Sequence, residues 1–273
     1  MCGFVGCIYN EPQIVNEKLK TKIKKMNTMI THRGPDSEGY FFDEYINFGF
    51  RRLSIIDLES GSQPLSYENE RYWIIFNGEI YNYIELREEL KKKGYKFSTE
   101  SDTEVIIALF SDIKEQVVKK LRGMFAFIIW DKIEHVLFGA RDHFGIKPFF
   151  YLEDSNTIYF ASEKKSILLA INGTLDLDAL QHYLSFQYVP EPDTLTKEIK
   201  KLQPGHYFIK KPGKTIRITN YWKPQFQPVN IPESKLTEEI RNVLIDSVNK
   251  HMRSDVPVGS FLSGGIDSSL YKC

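Results

Sequence analysis

Met1-Cys2-Gly3-Phe4-Val5-Gly6-Cys7-Ile8-Tyr9-Asn10 opens the chain. Phe4 to Tyr9 is a compact apolar run with the small Gly6 inside it, which predicts a buried strand beginning almost at the terminus. Cys2 and Cys7 lie an odd number of positions apart, so on one strand they face opposite sides and no thiol metal site is expected. With Cys273 they make three cysteines, too few and too scattered for a disulfide framework. The opening has no basic segment leading into a signal-type apolar core, and no stretch of the chain approaches the apolar length of a membrane span. A cytoplasmic protein with no membrane partner is expected.

Outward from this strand, Leu19, Ile23, Met26 and Ile30 recur at helical spacing and predict a helix over 17–29. A turn-rich stretch follows at 31–37, then two strands near 39–42 and 46–50. Residues 71–76 read as a strand closed by Asn77-Gly78. Asn82 with Glu85, and Ser101 with Glu104, are spaced as capping boxes that open helices, and Gly94 is placed to end the first of these. Further strands are expected at 124–130, 136–140, 158–161 and 207–209. Many strands, with helices gathered in a few places, indicate an α+β layered domain. Beyond Lys210 the chain is punctuated by Pro212, Pro224, Pro228 and Pro232, and a helical pattern returns at 236–250. The expected division is a domain over 1–210, a linker over 211–235 and the beginning of a second unit over 236–273.

Of 273 residues, 42% are hydrophobic and 26% charged, which suits a globular chain with a sizeable core. Lys+Arg and Asp+Glu are both 36, and this balance argues against a global attraction to nucleic acid or anionic membrane. The Lys91-Lys92-Lys93 run reads as the solvated end of a helix.

Cys2 carries the first chemical signal. With Met1 removed, one residue would present a thiol and a free α-amine, with ordinary pKa values of roughly 8.5 and roughly 7.7–8.0. Such a residue supplies nucleophile and base together and needs no histidine partner. The six histidines show no triad setting.

Beside Met1-Cys2-Gly3-Phe4-Val5-Gly6 stand His32-Arg33-Gly34-Pro35-Asp36, Arg52-Leu53-Ser54-Ile55-Ile56-Asp57 and Asn77-Gly78-Glu79-Ile80-Tyr81-Asn82. Ser101-Asp102-Thr103-Glu104, Gly123-Met124-Phe125-Ala126-Phe127 and Arg141-Asp142-His143-Phe144-Gly145-Ile146-Lys147-Pro148 follow in order. Together these segments resemble the class II glutamine amidotransferases, which are N-terminal-nucleophile hydrolases. The likeness implies a four-layer αββα fold and hydrolysis of glutamine with no cofactor and no metal. It implies that Cys2 attacks the glutamine side-chain amide, giving a thioester and ammonia, with Asn77 and Gly78 as the oxyanion hole. Arg52 would grip the α-carboxylate, with Arg51 as the competing candidate. Leu53, Ser54, Ile55 and Ile56 would supply walls and backbone contacts, and Glu79 and Asp102 would take the substrate ammonium. The His32–Asp36 loop is read as structural or lid-like, with no catalytic proton assigned to His32.

A second signal is Leu262-Ser263-Gly264-Gly265-Ile266-Asp267-Ser268-Ser269, placed after a predicted strand over 256–262. Glycines and hydroxyl residues between a strand and a helix start can aim N–H groups at an anion. The loop lacks the lysine and spacing of a Walker A motif. It resembles the pyrophosphate loop of ATP pyrophosphatase domains, which implies Leu262, Ser263, Gly264, Gly265, Asp267 and Ser268 as ATP-binding residues. The combination is similar to the asparagine synthetase branch, in which ATP and magnesium activate aspartate and ammonia from the first site attacks the acyl-AMP. After Ser269, Leu270-Tyr271-Lys272-Cys273 departs from the small, apolar helix expected there. The expectation is a truncated start of an α/β ATP pyrophosphatase domain, retaining at most glutaminase activity. Aspartate and ATP would then be partners only if the missing domain is supplied. The alternative is a non-catalytic fragment that binds glutamine or a partner chain. The assembly, a homodimer included, is left open.

Overall fold

The opening run forms β1 (Gly3–Tyr9), buried along its whole length. Its alternation explains why it is apolar throughout. Phe4 and Ile8 face one core cluster, while Val5, Cys7 and Tyr9 face another. In the computed structural model, which describes residues 2–270, β1 lies inside a six-stranded antiparallel sheet. Expectations resting on Met1 and on residues 271–273, Cys273 among them, lie outside the described residues. The order across this sheet is β10 (Lys200–Lys201), β8 (Phe150–Glu153), β9 (Thr157–Ala161), β1, β3 (Ile46–Arg52) and β2 (Ser37–Phe42). A second antiparallel sheet runs β12 (Arg217–Asn220), β11 (His206–Lys210), β7 (Val136–Arg141), β6 (Gly123–Asp131), β5 (Tyr72–Ile80) and β4 (Leu65–Tyr67).

The sheets pack face to face. Phe4, Ile8, Phe48 and Phe50 of the first meet Ile75, Ala126, Ile128 and Trp130 of the second. The outer faces are covered by helices. On the first sheet, α1 (Glu17–Thr28) sets Ile23 and Met26 against Val5 and Cys7. On the second, α2 (Tyr83–Lys92) and α3 (Asp102–Ile113) set Leu86, Leu90, Val105 and Ile106 against Ile74, Phe76 and Phe127. Four layers result, αββα, as the resemblance implied. Two short helices, α4 (Lys164–Leu168) and α5 (Leu177–Phe186), follow β9, and α6 (Glu233–His251) and α7 (Ile266–Leu270) follow β12.

Several local expectations are corrected. β5 is not closed by Asn77-Gly78 but continues to Ile80, because Asn77 pairs with Ala126, Gly78 with Phe125 and Ile80 with Gly123. Asn82 is at the N-cap of α2 but gives its side chain to Lys120 O and Arg122 N, both at 2.9 Å, so it ties the helix to the loop before β6. Ser101 does cap α3, accepting from Thr103 N at 3.1 Å, but Glu104 does not return the bond. Its carboxylate instead takes the N–H and hydroxyl groups of Ser98 and Thr99. The segment expected as linker contains β12, which pairs with β11 through residues such as Ile218 opposite Phe208. Residues 256–262 form no strand: no ladder partner lies beside them among the described residues, and an extended segment without one has nothing to hold it.

Candidate active site

Alternation along three strands delivers the chemistry to one end of the sandwich. Cys2, just before β1, packs on the inter-sheet cluster with Phe4 and Ile8. Arg52 shares the face of Phe48 and Phe50, and Asn77 and Glu79 share the face of Ile75. These residues line a cleft together with Leu53, Ile55, Ile56, Gly78 and Asp102. Ser54 is not part of this lining; its N–H donates to Asp36 Oδ2 at 2.8 Å.

Cys2 Sγ lies 3.3 Å from Leu53 N and 3.4 Å from Leu53 O. Burial pushes the thiol pKa up, against the Leu53 hydrogen bond and the nearby Arg52 charge, which pull it down. The backbone of Cys2 is held by Arg33, whose Nε donates to Cys2 O at 2.9 Å. Arg33 and His32 both pair with Glu163, at 3.1 and 2.8 Å, so the 32–36 loop anchors the nucleophile candidate and His32 is directed away from it. Gly34 permits this, since a Cβ there would sit 2.3 Å from the Arg51 backbone.

Asn77 is 1% exposed, and its Nδ2 has no hydrogen-bond partner. Such a buried, unanswered donor costs about 1–3 kcal/mol, and an oxygen entering the cleft would relieve it. Gly78 adds a second donor for a reason of topology. Phe76 N donates to Gln63 Oε1 and Ile80 N to Asp102 Oδ2, at 2.6 and 2.9 Å, so the N–H groups of alternate β5 residues point away from β6. Gly78 N–H lies between them with the same direction, at an edge that β4 is too short to cover. Position 78 holds glycine for a packing reason. The contact that requires it is the neighbouring strand, since a Cβ would lie 2.1 Å from Met124 O.

Arg51 and Arg52 point to opposite faces of β3. Arg51 pairs with Glu38 at 2.6 Å and donates to Asn27 O, away from the cleft. Arg52 lines the cleft and donates to Ile56 O and Leu58 O at 3.3 Å and to Asp57 O, so it also braces the 53–58 loop. Three bonds leave part of its five-donor fork unspent.

Across the cleft stand two carboxylates. Asp102 is buried, and burial raises its pKa to about 7, opposed by the Ile80 N–H and assisted by the charge of Glu79. Burial raises Glu79 as well, with the charge of Lys147 acting against it. Lys147 is itself buried, which pulls its pKa down.

Gly61, Gln63, Phe76, Ser101, Thr103 and Lys147 also line the cleft and were not singled out as site residues. Gln63 bridges β5 to α3, its Nε2 donating to Thr103 Oγ1 at 3.2 Å. No sequence signal marks it. Lys147 ends a quoted motif whose logic is now visible. Asp142 accepts from the N–H groups of Phe125, Phe144, Ile146 and Lys147, and Arg141 donates to Lys147 O and Gly145 O, which folds the loop so that Lys147 enters the cleft.

The second loop is built differently. Gly264 has φ +81, Ser263 Oγ and Ser268 Oγ are 3.0 Å apart, and Ser268 Oγ donates to Gly265 O at 3.1 Å. Leu262 through Asp267 are exposed. Among the described residues nothing encloses a nucleotide there, so these residues do not by themselves fit ATP with magnesium.

Comparison with known proteins bears on both regions. The family model described as glutamine amidotransferase domain matches residues 1–222, and that described as asparagine synthase matches residues 239–271. Asparagine synthetase [glutamine-hydrolyzing] 1 of Bacillus subtilis is 60% identical over 271 residues, covering 99% of this chain and 43% of the relative. Putative asparagine synthetase [glutamine-hydrolyzing] 2 of Methanocaldococcus jannaschii is 40% identical, covering 98% of this chain and 56% of the relative. The chain thus spans about half the length of these relatives or less. Among solved structures, glutamine phosphoribosylpyrophosphate amidotransferase from B. subtilis aligns with a TM-score of 0.60 at 18% identity, covering 82% of this chain and 50% of that one. That likeness is one of fold.

Proposed function

This chain belongs to the glutamine amidotransferase domain family, and from that premise we propose that it hydrolyses the side-chain amide of glutamine at Cys2. The observation that carries the reading is the buried Nδ2 of Asn77, without a partner, in the same cleft as Cys2 Sγ. With Met1 removed, the α-amine of Cys2 takes the thiol proton as Sγ bonds to the amide carbon. The carbonyl oxygen gains the electron pair and takes up hydrogen bonds from Asn77 Nδ2 and Gly78 N–H. The C–N bond then breaks, the amine proton leaves with ammonia, and water opens the thioester to glutamate. Arg52 pairs with the substrate α-carboxylate, and Glu79 and Asp102 take its ammonium group. No step needs a cofactor. Residues 236–273, in this reading, begin an ATP-using domain that would pass the ammonia to aspartate; the relatives' names carry asparagine synthesis and glutamine hydrolysis.

The test is glutamate release from glutamine by the purified chain without ATP. Cys2→Ala is expected to abolish release with little change in the thermal midpoint, since Ala keeps the Cβ and removes only the sulfur at the edge of the inter-sheet cluster. A Cys2→Ala chain that retains the rate would remove Cys2 as nucleophile. No release from the wild-type chain, together with retained Met1 by mass spectrometry, favours the non-catalytic alternative.

A further inference from the structure

The 53–58 loop, a wall of the cleft, is held from outside the first domain. On its inner side, Leu53 contacts Cys2 Sγ and the carbonyls of Ile56, Asp57 and Leu58 accept from Arg52. Asp57 takes a left-handed conformation with φ 52, tolerated by Asp more readily than by most residues, and its carboxylate accepts from Ser60 N and Glu100 N. On its outer side the loop meets residues that follow α6. Asp255 N donates to Ile55 O at 3.1 Å, and Asp57 N donates to Asp255 Oδ2 at 2.7 Å. Two residues earlier, Arg253 pairs with Glu85 at 2.7 Å and donates to Tyr81 O, one residue beyond the end of β5.

We infer that Asp255 is a positioning residue for glutamine binding, supplied to the first domain's cleft by the second segment. This rests on the amidotransferase reading. The two bonds fix the backbone at Ile55 and Asp57, and through it the walls contributed by Leu53, Ile55 and Ile56. Asp255 touches neither Cys2 nor Asn77, so it acts on how well the cleft receives glutamine and not on the bond-breaking step. The inner bonds to Arg52 set the loop's curvature, and the outer bonds to Asp255 keep it from swinging away.

The experiment compares full-length wild type, Asp255→Ala and Asp255→Asn. Asn keeps an oxygen at the accepting position, and Ala removes it. Asp255→Ala is expected to raise KM for glutamine about five- to tenfold, the weight of one ordinary hydrogen bond from an exposed side chain, with kcat within about twofold. Asp255→Asn is expected to stay within about twofold in both. Amide exchange across 54–58 should quicken in the Ala chain and not in the Asn chain, while β1 and β6 exchange as in wild type. An unchanged KM and unchanged loop exchange in Asp255→Ala would overturn the assignment. Equal impairment of both variants would overturn it too, because a purely electrostatic role would then suffice. If the wild-type chain releases no glutamate, the amidotransferase reading fails first. The exchange arm then decides alone whether Asp255 holds the loop.

Discussion

Asp102 is a carboxyl whose burial raises its pKa from the ordinary 3.8 to about 7, with one oxygen on Ile80 N–H and the charge of Glu79 beside it. A raised folded-state value means that the folded chain binds the proton more tightly than the unfolded one. Its contribution to stability is full below 3.8 and is lost as pH rises through about 7. In the proposed binding mode glutamine binding runs the other way, because a substrate ammonium group set against Asp102 would need the ionised form. KM for glutamine should therefore rise about tenfold as pH falls from about 8 to about 6. Asp102→Asn should hold KM high and flat over that window, and its thermal midpoint should lose the pH dependence that wild type shows between 3.8 and about 7. Steady-state KM across the window checks the first expectation and thermal melts check the second. A wild-type KM that is flat with pH would detach Asp102 from the ammonium contact.

At the scale of elements, β5 decides the site because it carries Asn77, Gly78 and Glu79 through a region where its edge is covered by side chains instead of a strand. Gly78→Ala would drive a methyl against Met124 O and part β5 from β6. A loss of about 1–3 kcal/mol in urea unfolding is expected, with glutamate release falling alongside it. Unchanged stability would mean that β6 yields at Met124 without cost. The longer strands were legible, since apolar runs such as 4–9 and 124–130 announce burial by composition alone, whereas β4, β8, β10 and β12, of two to four residues each, are too short to carry a pattern. The end of β5 was not, because Asn-Gly is the ordinary sign of a hairpin turn and only pairing across to Phe125 and Ala126 contradicts it. The capping boxes misled for a related reason: spacing shows which partners are in reach, while Glu85 and Glu104 were taken by Arg253 and by the Ser98–Thr99 backbone. Of the site, the quoted motifs located Cys2, Arg52, Asn77, Glu79 and Asp102, all of which line the cleft. Gln63 carries no motif, and the outer hold by Asp255 depends on the return of a distant segment that local pattern cannot express.

At the scale of the whole molecule, the two core-filled sheets contrast with α6, none of whose residues is buried. Leu236, Ile240, Val243, Leu244 and Ile245 stay exposed, so hydrophobic burial does not seat this helix. Its hold is polar. Asp246 pairs with Arg122 at 2.6 Å, Lys250 with Glu85 at 3.0 Å and Arg253 with Glu85 at 2.7 Å, while the His251 ring lies 4.0 Å from Tyr81. Partly exposed pairs of this kind are each worth at most about 1 kcal/mol and weaken as the Debye length shrinks from about 10 Å at 0.1 M salt to about 3 Å at 1 M. Glu85 joins two of the three pairs, and its hydrogen bonds with Arg253 hold its carboxyl well below the usual range. Its contribution is therefore present above the ordinary 4.5 and lost as pH falls below that value. Raising salt to about 1 M should speed amide exchange in 233–251 while leaving β1 and β6 protected, and Glu85→Gln should do the same at low salt. Both treatments should also raise KM for glutamine, because Asp255 reaches the 53–58 loop only while the segment after α6 stays docked. Exchange in α6 that ignores both salt and Glu85→Gln would show that the segment is held by something other than these pairs.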